Sequence, residues 1–168
     1  MIIALIVLIL SFLLDGIISN FLFISSTNFM LFGTIYILVS LVILCPYFYN
    51  TKKFFIFTSI FGLLFDIAYT NTFVLNLVVF ILLGIVIRFF HSFLANSLFS
   101  NIFISLITIM LYYLFTFFFL FISNYNGGLL FSLGKILYSN IFMTIIYSVF
   151  LYYAVKFMLK KLKMKQFK

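Results

Sequence analysis

The chain alternates long apolar runs with short polar patches. A helix needs about 20 predominantly apolar residues to cross roughly 30 Å of hydrocarbon, and runs of that order recur along the chain. The pattern predicts six helices, near 2–24, 29–48, 54–70, 72–90, 98–122 and 136–158, followed by a basic tail over 159–168. The breaks fall at Ser25 to Asn28, Tyr49 to Lys53, Thr70 to Thr72, His91 to Asn101 and Ser123 to Gly128. The third break is a very tight turn, so one kinked segment competes there with two separate helices.

Composition turns this pattern into a class. The 168 residues are 67% hydrophobic and 7% charged, too apolar for a soluble core to bury. The expected fold is an all-α, polytopic integral membrane protein of one domain. Its opening MIIALIVLILSFLLDG lacks a basic start and a small-residue cleavage site, and reads as a retained first helix. The single cysteine, Cys45, has no partner for an internal disulfide and no metal-ligand spacing around it, and reads as apolar filler.

Charge then sets the orientation. With six spans, Lys52, Lys53, Arg88, Lys156, Lys160, Lys161, Lys163, Lys165 and Lys168 fall on one side, and Lys135 alone falls on the other. The excess of Lys and Arg on cytoplasmic loops places both termini in the cytoplasm. The tail KFMLKKLKMKQFK continues helix 6 and should attract anionic lipid head groups, at about 1 kcal/mol per Lys near the surface. A stop-transfer anchor is the plainer reading of it, and a docking site for a cytoplasmic partner is the other. Nucleic-acid binding is not expected, because the tail lies against a membrane and no readout module is present.

Asp15 and Asp66 are the only acidic residues, and both lie inside apolar runs. A charge at the centre of a membrane helix costs about 2.5–3.5 kcal/mol on insertion scales, so such residues usually face a bundle interior. Spacings of four put Ser11, Asp15 and Ser19 on one side of helix 1, and Gly62, Asp66 and Thr70 on one side of helix 3. Thr108, Tyr112 and Thr116 on helix 5, and Asn140, Thr144 and Ser148 on helix 6, form similar stripes. Their plain reading is interhelical packing. Asp66 falls near the C-terminus of its helix, where the macrodipole disfavours negative charge. Tyr69, Thr70 and Asn71 are local donors, and Lys135 is the expected opposite charge. The segments LLDGIISN (13–20) and LFDIAYTN (64–71) share Leu, Asp, a hydroxyl residue and Asn in register. A parallel internal repeat accounts for that; so does chance in a biased chain.

Catalytic, metal and cofactor constellations are missing from the sequence. His91 stands beside Arg88 at a helix end without a nucleophile or carboxylate at useful spacing, and Gly127-Gly128 sits in a polar turn rather than a phosphate loop. No enzymatic activity is expected.

FGLLFDIAYTNTFVLN, residues 61–76, resembles the signature region of the bacterial rod shape-determining protein MreD family: a Gly, large apolar residues, an Asp, a short polar turn and a further apolar helix. Gly62, Leu63, Leu64, Asp66, Tyr69, Thr70, Asn71 and Asn76 occupy the matching positions. SFLLDGIISNFL, residues 11–22, is similar to the first helix of many members. Many members carry a Gly shortly after the polar turn, where this chain has Phe73 and Val74. The resemblance implies a non-enzymatic scaffold of the rod complex, or elongasome, that helps control cell shape. Implied partners are MreC, MreB and the wall-synthesis pair of RodA and a class B transpeptidase. The alternative is a substrate-binding subunit of an energy-coupling-factor vitamin transporter, also a six-helix protein. Asp15, Asp66, Tyr69, Asn71 and Asn126 would supply its polar cluster. Against it, Ala4 has no small partner at the spacing such subunits show in helix 1, and ligand-capping loops are absent.

Overall fold

Among the described residues of the computed structural model, six α-helices follow one another: α1 Ile2–Ser25, α2 Tyr36–Leu44, α3 Thr51–Phe65, α4 Leu75–Phe93, α5 Leu98–Ile122 and α6 Leu129–Gln166. The structure describes residues 2–25, 35–70, 74–122 and 129–166, and no strand occurs among them. A 3₁₀ turn, Cys45–Tyr47, extends α2, and a π turn, Asp66–Thr70, extends α3. Among the described residues, Leu75–Phe93, Leu98–Phe119 and Ile141–Lys161 are long and apolar enough to cross a membrane. Ile3–Ile17 and Tyr36–Tyr47 are shorter apolar helices.

The third break separates two helices. Gly62 of α3 faces Leu77 of α4, and Gly84 of α4 faces Phe55 and Thr58 of α3, which makes α3 and α4 an antiparallel hairpin. At the other end of the chain α6 is already helical ahead of the start expected at 136, and it continues into the tail. It starts at Leu129 and runs unbroken through the lysines to Gln166. Hydropathy marks only the apolar stretch, whereas Lys, Leu and Met are all good helix formers and carry the helix past it.

Helices pack as consecutive pairs: α1 with α2, α3 with α4 and α5 with α6. In addition, α2 packs against α5 and α6, and α4 against α5. All nine residues of α2 are buried. A helix that is apolar all round belongs inside, and α2 is the central post of the bundle. The other helices turn bulky apolar side chains outward, including Phe99, Phe103 and Phe118 on α5 and Phe142, Phe150 and Phe157 on α6. An apolar exterior of this extent suits a lipid environment.

Inside, hydroxyls are satisfied locally. Thr58, Ser105, Thr108 and Ser148 each donate to the carbonyl four residues back. That bond lets a polar side chain sit in an apolar interior without a distant partner. Thr108, Tyr112, Thr144 and Ser148, from the stripes read in the sequence, are all buried.

Candidate functional site

Helices α2 and α4 begin without a local cap. Their N-cap residues are Ile35 and Val74, and neither provides a side-chain hydrogen bond. Helix α3, in contrast, starts behind Asn50, whose Oδ1 accepts the Lys52 N–H at 2.9 Å. At the start of α5 the Ser97 Oγ accepts the Ser100 N–H at 3.2 Å. The first N–H groups of a helix have no partner within it and must be satisfied by something else. For α2 and α4 that partner is an aspartate on the preceding helix.

Asp15 is 7% exposed and lies near the middle of α1. Its Oδ1 accepts the N–H of Tyr36 at 2.7 Å and its Oδ2 the N–H of Ile37 at 3.0 Å. One turn earlier on α1, Ser11 joins three helices. Its Oγ donates to the Val7 carbonyl at 2.7 Å, and is hydrogen-bonded to Ser40 of α2 and, at 2.8 Å, to the Tyr147 hydroxyl of α6. The Tyr147 ring meets Tyr36 edge-on at 4.6 Å between centroids.

Asp66 is 2% exposed and stands at the end of α3. Its Oδ1 accepts both the backbone N–H and the side-chain Nδ2 of Asn76, each at 3.0 Å, and its Oδ2 accepts the Leu77 N–H at 3.0 Å. Asn76 in turn accepts the Tyr112 hydroxyl of α5 at 2.8 Å. Gly62, one turn before Asp66, makes this reach possible. A Cβ there would lie 2.9 Å from the Leu77 Cα and 3.1 Å from the Asn76 carbonyl oxygen. Only a bare Cα allows α3 to pass the first turn of α4 that closely.

The two sites are tied together by Tyr69. Its hydroxyl donates to the Phe12 carbonyl of α1 at 2.6 Å, and its ring lies 4.9 Å from Phe12 and 5.0 Å from Phe65 between centroids. A Cβ on Gly16 would lie 2.6 Å from that hydroxyl. The segments that resemble each other in sequence thus touch in space, and their aspartates perform the same task.

The energetics favour this use of a buried acid. A helix that starts within an apolar interior leaves several N–H groups without water, each costing about 1–3 kcal/mol if unmet. A carboxyl group placed there satisfies two of them and lies at the positive end of the macrodipole. Burying the acid and starting the helix are each unfavourable alone and offset each other together. For Asp66 the dipole of α4 replaces the unfavourable one of α3.

Arg88 of α4 closes the other end of α2. It donates to the carbonyls of Cys45 at 3.1 Å and Phe48 at 3.3 Å and to the Thr51 hydroxyl at 3.0 Å, with Phe54 beneath its guanidinium. His91 Nε2 meets the Val42 carbonyl at 3.0 Å. Sequence reading placed Arg88 among membrane-surface cations and missed this cap, because carbonyl acceptors carry no residue signature. Ser40, Asn76 and Tyr147 were likewise not singled out as site residues, although Asn76 lies within the segment quoted for the resemblance.

Lys52, Lys53, Lys156, Lys160 and Lys161 are exposed. Asn71 and the side chains of Lys135, Lys163 and Lys165 lie outside the described residues, and with them the expected Asp66–Lys135 pair. Among the described residues, no group of three or more His, Cys, Asp or Glu side chains is placed to hold a metal ion. No protein-family model, curated protein or solved structure matches the chain. The fold by itself defines an all-helical membrane protein whose two acidic residues cap internal helix starts.

Proposed function

We propose that the chain is an MreD-like, non-enzymatic component of the bacterial rod complex. In this reading it lies in the cytoplasmic membrane as a bundle of six spans with both termini in the cytoplasm. There it acts with MreB, MreC and the RodA–class B transpeptidase pair in lateral-wall peptidoglycan synthesis and cell shape. The observation that carries the reading is the part played by the segment 61–76. Gly62, Asp66 and Asn76, positions on which the resemblance rests, hold the α3–α4 hairpin together. A motif used to build a helix start fits a scaffold better than a binding site. The orientation draws support from one end of the bundle, where the start of α1, the α2–α3 connection and Val155 and Leu159 of α6 line a common groove. Lys53 lines that groove, and Lys156 and Lys160 follow Val155 and Leu159 in the chain, which favours basic residues gathered on one side.

Depletion of the protein in its host tests the proposal. Rod-shaped cells should round up, and the wild-type gene should restore them; unchanged shape would overturn the reading. Reporter fusions within 123–128 should report the outside, and fusions at either terminus the cytoplasm. Saturable binding of a vitamin by the purified protein would instead favour the transporter subunit.

A further inference from the structure

We propose that the end of the bundle carrying Lys52 and Lys53 binds one anionic phospholipid, with its acyl part in a groove between α1 and α6 and its phosphate at Lys53. The inference rests on the membrane reading of the chain and not on the rod-complex assignment. The groove has a volume of about 740 Å³, within the range of about 300–1,000 Å³ typical of small-molecule sites. Ile3 and Ala4 of α1 and Val155 and Leu159 of α6 form apolar walls, and Tyr49 and Lys53 stand at its polar side. The same two helices are joined deeper in the bundle by the Ser11–Tyr147 hydrogen bond. Ala4 lies seven residues from Ser11, about 10 Å along the helix, so the groove sits toward the helix ends, at the depth of a head-group boundary.

Charge selects the occupant. The chain has ten cations and two acids. Both acids accept backbone N–H groups of helix starts. Asp66 is separated from Lys53 by the length of α3, about 20 Å. No acidic side chain of this chain is therefore available to Lys53, Lys156 or Lys160, and their counter-charge comes from outside. Lysine beside an apolar slot between membrane helices matches an anionic lipid, phosphate to ammonium and hydrocarbon to hydrocarbon. The exposed apolar faces flanking the groove, including Ile6 on α1 and Phe157 on α6, already require lipid around it. A lipid reaches the slot by lateral diffusion, without a soluble partner.

The test is lipid retention by the full-length protein in neutral detergent, read by native mass spectrometry and by thermal unfolding. Phosphatidylglycerol should be retained one to one and raise Tm. Phosphatidylcholine should bind at least tenfold more weakly, and inorganic phosphate should give no shift. Ala4→Phe should abolish retention by filling the slot. Lys53→Gln should weaken it about fivefold, the equivalent of about 1 kcal/mol for one lysine. Equal protection by both lipids, or undiminished retention by Ala4→Phe and Lys53→Gln, would overturn the proposal in favour of diffuse surface attraction. If Ala4→Phe elutes as misfolded protein, Lys53→Gln decides. An acidic protein segment that occupies the groove and is not displaced by phosphatidylglycerol would also overturn it. Failure of the membrane reading is seen separately, as protein that does not fractionate with membranes on expression.

Discussion

Asp15 reaches across 21 residues of chain to the start of α2, whereas Asp66 reaches across ten to the start of α4. Asp15 accepts two backbone N–H groups from the middle of an uninterrupted helix, and its surroundings are held by the Ser11, Ser40 and Tyr147 hydroxyls one turn away. Asp66 stands where α3 gives way to a π turn, and Asn76 and Tyr112 extend its bonding into α5. The cost of the short connection falls on Val74, whose φ of 71° is left-handed. A β-branched residue strongly disfavours that region. The N-cap of α2, Ile35, has an ordinary φ of −87°, whereas the short route gives Asp66 the extra donor of Asn76 and a strained entry to α4.

The largest expected effect separates the two acids themselves. Asp66→Ala should cost about 3–5 kcal/mol, and Asp15→Ala about 2–4 kcal/mol, because each buried donor left unmet costs about 1–3 kcal/mol and Asp66 has at least one donor more among the described residues. Unfolding in detergent measures both, and the reverse ranking would break the comparison. Gly62→Ala comes next, at about 1–3 kcal/mol for forcing a methyl against the backbone of α4. Gly16→Ala should cost less, since the obstructing atom is the movable tip of Tyr69 and not a Cα. Tyr112→Phe should cost about 1 kcal/mol through the lost bond to Asn76, with Asp15 unaffected. The smallest effect has the opposite sign: Val74→Gly should stabilise by about 1 kcal/mol, the left-handed penalty of one residue. A fall in Tm for that variant would show that Val74 packs better than its backbone suggests.

Much of the helix layout was legible in the chain. The apolar runs marked a helical chain, and among the described residues Leu75–Phe93, Leu98–Phe119 and Ile141–Lys161 are long and apolar enough to cross a membrane. The cost of a buried charge directed attention to Asp15 and Asp66, and both are buried. The backbone N–H groups that they accept were not legible. For Asp66 the chain suggests Tyr69, Thr70 and Asn71 as local donors and Lys135 as the opposite charge; the described donors include the backbone N–H groups of Asn76 and Leu77 and the Asn76 side-chain amide. Backbone donors are identical at every residue and leave no mark in a sequence. Nor did the caps betray them, because Asn28 and Asn71 precede the starts read from the pattern at 29 and 72, whereas the N-caps in the structure are Ile35 and Val74.

The sequence by itself determined that this protein is helical and of membrane type, because hydropathy and helix length are sums over neighbouring residues and need no fold. It also determined that two acids must be matched with something, because burying charge is costly in any apolar surrounding. The tertiary structure alone decided what that something is. Where a helix begins inside the bundle, and which carboxyl stands 3.0 Å from its first N–H groups, depends on how closely two backbones approach. Gly62 permits that approach, but only the packed α3–α4 hairpin puts it to use.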